Sequence, residues 1–340
     1  MGGLRIGIVG TGYIAAYHAR GILQTPDAAL AAASGLDRKQ AEEFAGRFQV
    51  PSTFDRWEDL VEAPGLDAVV IAAPNAVHAP CARAALSRDL HVLVEKPMAC
   101  TLEEAAGMAE LARDRKKVLQ VGHMWRFDRE VIYARDLVRD GRLGRVFKTK
   151  GYGIHVHWGP GGWFTDKALA GGGALVDMGV HAIDTARFIL GDPVPQTVFA
   201  CMGSHVKKFE VEDTASLMIR WDSGAHSIVE SGWWQPHMDG PEAGTGVFGS
   251  EGYASVFPTF ASLRCQGVVS KIVPAFPARK EHCEQEMYTL QMAAFVAAAL
   301  GRAEQSPSID IALGNMAILD AAYRSAASGR AETVGAGGKG

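Results

Sequence analysis

Apolar runs of strand length alternate with helical patterns through the first third of the chain. "LRIGIVG" (4–10), "AALAAAS" (28–34), "LDAVVIAAP" (66–74), "HVLVEKP" (91–97) and "KVLQVGH" (117–123) read as five strands. Between them, "AAYHARGILQ", "RKQAEEFAGRF", "APCARAALSR" and "TLEEAAGMAELARDR" read as helices. Strands apolar on both faces and separated by helices indicate a parallel sheet covered on each side. Right-handed crossovers then favour a doubly wound order, 3-2-1-4-5-6, which sets the fourth run, 91–97, beside the first. The pattern changes in the second half. "TASLMIRWDSGAHSIVESGWW" (214–234) reads as two strands around an Asp-Ser-Gly turn, and "GTGVFGSEGYASVFP" (244–258) as a further hairpin. Beyond about residue 285, "EMYTLQMAAFVAAAL" and "IALGNMAILDAAYRSAA" read as helices.

The first strand runs straight into Gly10-Thr11-Gly12-Tyr13-Ile14-Ala15. A glycine turn that leaves a strand and opens a helix inside a strand-helix-strand unit is a dinucleotide fingerprint. Gly10 permits the tight turn, and Gly12 lets the backbone approach a pyrophosphate at the helix N-terminus, where unpaired N–H groups favour anions. Ala15 stands for the third glycine, small enough for close helix–strand packing. The second strand ends in Ser34-Gly35 rather than in the carboxylate that binds both ribose hydroxyls at an NAD site. Ser34 can donate to a 2′-phosphate, and Arg38 and Lys39 can supply charge. Asp37 falls at the start of the next helix, where it would cap. This favours NADP(H) over NAD(H), with NAD(H) still open. The competing reading is that Arg38 and Lys39 merely solvate a helix start.

"HVLVEKPMA" (91–99) ends a buried strand in a carboxylate, an ammonium and a helix-breaker. A cation is costly in a core but useful at a cleft, and the carboxyl edge of such a sheet is a cleft. Lys96 is thus placed on the nicotinamide side, with Pro97 stiffening the turn and Glu95 holding it. A second constellation is "GGALVDMGVHAID" (172–184). If helical throughout, Asp177, His181 and Asp184 stack at i, i+4 and i+7 on one face. A polar stripe flanked only by apolar residues and glycine points into a cleft.

The 340 residues allow about two domains of roughly 100–200 residues each. With 48% hydrophobic and 21% charged residues there is material for a packed core. A net charge of −4 and the lack of a long Lys/Arg block argue against nucleic acid as a partner. Cys81, Cys100, Cys201, Cys265 and Cys283 are odd in number and never spaced Cys-x-x-Cys, as in a reduced cytoplasmic protein. No signal pattern opens the chain, Ile6 stands where myristoylation wants Ser or Thr, and "AAFVAAAL" is too short to span a bilayer, so no membrane association is expected.

Taken in order, the glycine turn, "APNAVHAP" (73–80), "VLVEKPMA" (92–99), "VGHMWRF" (121–127) and "AGGGALVDMGVHAID" (170–184) resemble the glucose–fructose oxidoreductase, inositol dehydrogenase and rhizopine-catabolism (Gfo/Idh/MocA) oxidoreductases over nearly the whole chain. The resemblance implies an α/β Rossmann domain plus an α+β domain with a large, open, mostly antiparallel sheet. We expect these over 1–123 and 124–334, with a flexible tail at 335–340 and C-terminal helices able to pack back on the first domain. The resemblance also implies catalytic Lys96, Asp177 and His181, with Asp177 also on a substrate-binding position and Asp184 better suited to a structural, hydrogen-bonding role. It adds Ala73, Pro74, Asn75, His78, Glu95, Lys96 and Pro97 as cofactor contacts. His123, Arg126 and Trp163 join Lys96, Asp177 and His181 as substrate contacts.

Oxidation of a secondary alcohol needs a general base for the hydroxyl proton. Imidazole titrates near working pH, which recommends His181, and Lys96 can stabilise the developing alkoxide. "HVHW" (155–158) would put His155 and His157 on one face of a strand, but without a carboxylate or Cys at useful spacing no metal is expected. Trp233 and Trp234 are core or interface before they are sugar platforms. The leading expectation is an NAD(P)-dependent dehydrogenase or reductase of a sugar, cyclitol or related polyol, forming a homodimer or homotetramer. An NADP-dependent trans-dihydrodiol-type dehydrogenase and a non-catalytic dinucleotide-sensing regulator are the alternatives.

Overall fold

The computed structural model describes residues 3–235, 241–277 and 284–335. The expected tail at 335–340 lies outside them apart from Gly335. The chain divides into two compact units, Met1–Met124 with Cys283–Leu313, and Trp125–His282 with Gly314–Gly340.

In the first unit, strands β1 (Leu4–Val9), β2 (Ala28–Ser34), β3 (Ser52–Phe54), β4 (Ala68–Ile71), β5 (His91–Val94) and β6 (Leu119–Val121) alternate with helices α1 (Tyr13–Gln24), α2 (Arg38–Phe48), α3 (Trp57–Glu62), α4 (Asn75–Ser87) and α5 (Leu102–Arg115). All sheet pairings are parallel, in the order β3-β2-β1-β4-β5-β6. Every residue of β4 and β6 is buried, which is why these strands read as unbroken apolar runs.

Two sequence expectations need correction. Strand β3, a three-residue edge strand with no fully buried position, carries no apolar run and is missing from the sequence reading. The run at 91–97 is therefore the fifth strand and pairs with β4, not with the first. The ladders also stop short, at Ile71, Val94 and Val121. Ala72–Pro74, Glu95–Pro97 and Gly122–His123 then leave the carboxyl edge as turns. Because all six strands run the same way, these turns share that edge with Gly10–Gly12.

The second unit contains α6 (Arg129–Arg139), β7 (Val146–Ile154), α7 (Lys167–Ala170), a π-helical turn (Leu175–Gly179) continuing into α8 (Val180–Ile189), and strands β8 (Pro195–Gly203), β9 (Thr214–Trp221), β10 (His226–Gly232), β11 (Ala243–Gly249), β12 (Gly252–Val256), β13 (Phe260–Cys265) and β14 (Val268–Ile272). The chain ends with α9 (Gln285–Ala299), α10 (Ile309–Ser328) and β15 (Glu332–Thr333). Strands β7 to β15 form one nine-stranded sheet, β14-β13-β12-β11-β7-β10-β9-β8-β15, antiparallel except where β10 runs parallel to β7. Burial alternates along β9, so one face of that strand is buried and the other is not. Every residue of α8 is buried.

Helix α9 belongs to the first unit. Its Met292, Phe295 and Val296 join Ile8, Ala16, Ile22 and Phe44 in one core. A side chain at Gly21 would meet the Tyr288 carbonyl at 3.1 Å, so α1 and α9 pack closely there.

Candidate active site

The glycine turn is built by backbone contact. Gly10 has φ +104°, and a Cβ there would lie 2.2 Å from the Ala72 carbonyl oxygen, so only glycine fits. Gly12 is the N-cap of α1, yet no side chain caps the helix and a Cβ at Gly12 would point into open space. Packing does not demand glycine at that position. An uncapped helix start with room above it suits a pyrophosphate, which is the fit expected of a dinucleotide. Tyr13 is exposed and its hydroxyl hydrogen-bonds the Tyr17 hydroxyl at 2.9 Å, Thr11 and Ile14 are partly buried, and Ala15 is fully buried in the core.

At the end of β2, Asp37 accepts the Gln40 N–H at 2.8 Å and so caps α2. Arg38 and Lys39 are exposed, with Glu42 at 2.9 Å and Glu43 at 3.9 Å. Ser34 is buried at 1% exposure, and its hydroxyl has no hydrogen-bond partner. A covered hydroxyl of this kind reaches a ligand only if the following turn moves.

The turn after β5 is held from two helices. The Glu95 carboxylate accepts from His18 Nε2 on α1 at 2.7 Å and from the Lys96 backbone N–H at 3.2 Å. His18 is fully buried. Burial works to raise the Glu95 carboxyl, but the His18 hydrogen bond, followed by the His18 and Lys96 charges and the Lys96 N–H, holds it below the usual carboxylate range. A Cβ at Gly122 would meet Glu95 Oε1 at 2.9 Å, so the neighbouring strand end must be glycine for the carboxylate to sit there. From α4, His78 places Nδ1 2.8 Å from the Pro97 carbonyl and Nε2 2.9 Å from the Ala73 carbonyl. It lies between the Ala73-Pro74 turn and the Lys96–Pro97 turn, whose peptide bond is cis, and the neutral ring donates its single N–H to one of the two carbonyls. Burial pushes the His78 imidazole below its ordinary value. His78 and Asn75 are both buried. His123, at the end of β6, is buried too.

In the second unit, Glu212 anchors the segment that carries Asp177. Its Oε1 accepts the Gly173 and Leu175 N–H groups at 2.9 and 3.0 Å and the Tyr323 hydroxyl at 2.9 Å. A Cβ at Gly173 would lie 1.9 Å from the Glu212 carbonyl oxygen, which accounts for a glycine run here. The expected even stack of Asp177, His181 and Asp184 is corrected by the π turn, which widens the helix around Asp177 before regular winding starts at Val180. Asp177 accepts from the Trp233 indole N–H at 3.1 Å. His181 stacks on Trp125, ring centroids 5.1 Å apart at 28°. Arg126 is buried, and its guanidinium donates to Asp184 at 2.8–3.0 Å and to Asp192 at 2.7 and 3.0 Å. Asn315 adds a donor to Asp184 at 2.7 Å. Trp163 stacks on Phe164 at 3.8 Å and is partly exposed. His155 and His157 do not share a strand face, because β7 ends at Ile154 and His157 has φ +64°.

Two family models match the chain. "Oxidoreductase family, NAD-binding Rossmann fold" covers residues 4–123, and "GFO/IDH/MocA C-terminal domain" covers 131–255. The chain belongs to the Gfo/Idh/MocA oxidoreductases. It is accordingly an oxidoreductase of the dehydrogenase and reductase class acting on CH–OH groups. This member is 32% identical to D-glucoside 3-dehydrogenase of Escherichia coli over 67% of its own length and 65% of the relative's. It is 28% identical to D-xylose 1-dehydrogenase (NADP(+)) 2 of Haloferax volcanii over 96% and 99% of the two chains. Among solved structures, GenD2 from gentamicin A biosynthesis in complex with NAD superposes with a TM-score of 0.86 at 27% identity, covering 98% of this chain and 97% of that one.

Within the first unit of this Gfo/Idh/MocA chain, the fold gathers Gly10, Thr11, Gly12, Ala73, Pro74, Glu95, Lys96 and Pro97 at one sheet edge. Within the second, it gathers Asp177 and His181 on one helical segment. Sequence reasoning missed His18, Trp125 and the partners of His155. A histidine amid the apolar face of α1 was the available signal for His18, since a fully buried imidazole needs a partner. The carboxylates facing His155 come from distant segments, so spacing could not disclose them. Among the described residues, no helix is long and apolar enough to cross a membrane, and no group of three or more ligating side chains could hold a metal.

Proposed function

We propose that the protein is an NADP(H)-preferring dehydrogenase or reductase of a sugar, cyclitol or related polyol, with Lys96 and His181 as its acid–base pair. The observation that carries the proposal is the braced turn at Lys96. A largely buried carboxylate and two buried imidazoles are spent on holding one lysine at the same sheet edge as an uncapped, open helix start. Such bracing fits a cation that must meet a ligand in one orientation.

A bound nicotinamide would supply the hydride acceptor. His181 takes the hydroxyl proton, Lys96 donates to the developing alkoxide, and Asp177 accepts from a neighbouring hydroxyl. The reverse reaction returns the proton to a carbonyl oxygen through the same groups. Arg126 takes a positioning role in this proposal, since its donors go to Asp184 and Asp192. The preference for NADP(H) rests on Asp37 being engaged as a helix cap while Arg38 and Lys39 stand exposed nearby.

Both oxidised cofactors should be screened against a panel of aldoses, anhydrosugars and inositols. With the fastest pair, Lys96→Ala should lower turnover by about 10²–10⁴, while NADPH affinity by fluorescence titration stays near wild type. Near-normal turnover removes Lys96 from the chemistry.

A further inference from the structure

We propose that His155 is a positioning residue that acts through Asp177, and that Glu242 sets its orientation; this rests on the role given to Asp177 above. His155 follows the last residue of β7, and its backbone is pinned on both sides. Its N–H donates to the Gly232 carbonyl at 2.9 Å, and its carbonyl accepts the Gln235 N–H at 3.3 Å. The ring is buried and covered on one face by Trp158, with centroids 3.7 Å apart. Its two nitrogens face two carboxylates. Nδ1 lies 3.4 Å from Glu242 Oε2, and Nε2 lies 3.7 Å from Asp177 Oδ2.

Glu242 is itself oriented, because the Trp158 indole N–H donates to its other oxygen at 2.5 Å. The same indole therefore covers the imidazole and aims the carboxylate that aligns it. On the far side, Asp177 Oδ2 is the oxygen that accepts from Trp233, a fully buried side chain. One oxygen of Asp177 thus meets an indole donor and an imidazole edge together, which fixes the plane of the carboxylate and the direction of its other oxygen. At 3.7 Å the imidazole contact is electrostatic rather than a hydrogen bond. It tightens into one when Asp177 takes up a substrate hydroxyl, as expected of a site that completes its contacts on binding.

If His155 works through Asp177, its value vanishes once Asp177 can no longer act. The test is a double-mutant cycle on the full chain, read as kcat and KM for the panel polyol that wild type oxidises fastest. His155→Phe keeps the ring under Trp158 without its nitrogens. It should lower kcat about 10-fold, with NADPH affinity unchanged. In an Asp177→Asn background the same change should cost less than about twofold. Glu242→Leu should behave as His155→Phe does, and Glu242→Gln, which keeps the shape and an acceptor, should restore most of the loss. Should His155→Phe melt early, the two Glu242 variants in both backgrounds decide the question. Wild-type kcat in His155→Phe, or an undiminished effect in the Asp177→Asn background, overturns the positioning role. Wild-type turnover in Asp177→Asn alone overturns the role of Asp177 and this inference with it.

Discussion

Replacing Glu95 by Gln keeps the shape of the turn before Lys96 and removes one charge, so it isolates what the His18–Glu95 pair contributes. The wild-type carboxylate accepts a 2.7 Å bond from His18 and a 3.2 Å bond from the Lys96 N–H, with its side chain only 12% exposed. A hydrogen bond to a charged group contributes about 1.5–3 kcal/mol. For a unit of this size each kcal/mol moves the melting temperature by about 2–4 °C, which gives a loss of about 3–12 °C at neutral pH. The pH dependence has a definite sign. Glu95 is held below its unfolded value, so its contribution is complete above about pH 4.3 and disappears as the pH falls through the folded-state value. The gap between wild type and Glu95→Gln should therefore be present at pH 7 and shrink as the pH falls below about pH 4.3. Scanning fluorimetry across that range measures it. No gap at pH 7, or a gap that persists undiminished well below about pH 4, refutes the account of this buried pair.

Asp184→Asn leaves the buried Arg126 guanidinium with Asp192 as its carboxylate partner and should cost about 3–5 kcal/mol. A melting temperature within about 2 °C of wild type would show that the pair is not desolvated. Replacing Arg38 and Lys39 together by Ala should weaken NADPH about 10–100-fold and NADH little, as read by fluorescence titration. An unchanged ratio removes both from 2′-phosphate recognition. Changing Gly35 to Asp is a poorer probe, because a Cβ there would meet the Ala41 backbone nitrogen at 2.9 Å.

The alternation of apolar runs and helical patterns by itself determined the parallel sheet, the glycine turn at the end of β1, and the hairpins of the second half. Each of these follows from local periodicity or from one residue's steric needs. Asp37 as a helix cap was legible for the same reason, since its neighbours in sequence define the role, whereas the partners of Asp184 come from Arg126 and Asn315, far along the chain. Tertiary structure decided the rest. A three-residue edge strand with no apolar run shifted the lysine strand away from β1. A π turn changed the spacing of Asp177 and His181. Above all, His18 came to hold Glu95, and Glu242 and Asp177 came to flank His155. Buried polar groups take partners from wherever the chain brings one within about 3 Å, and separation along the sequence places no limit on that choice.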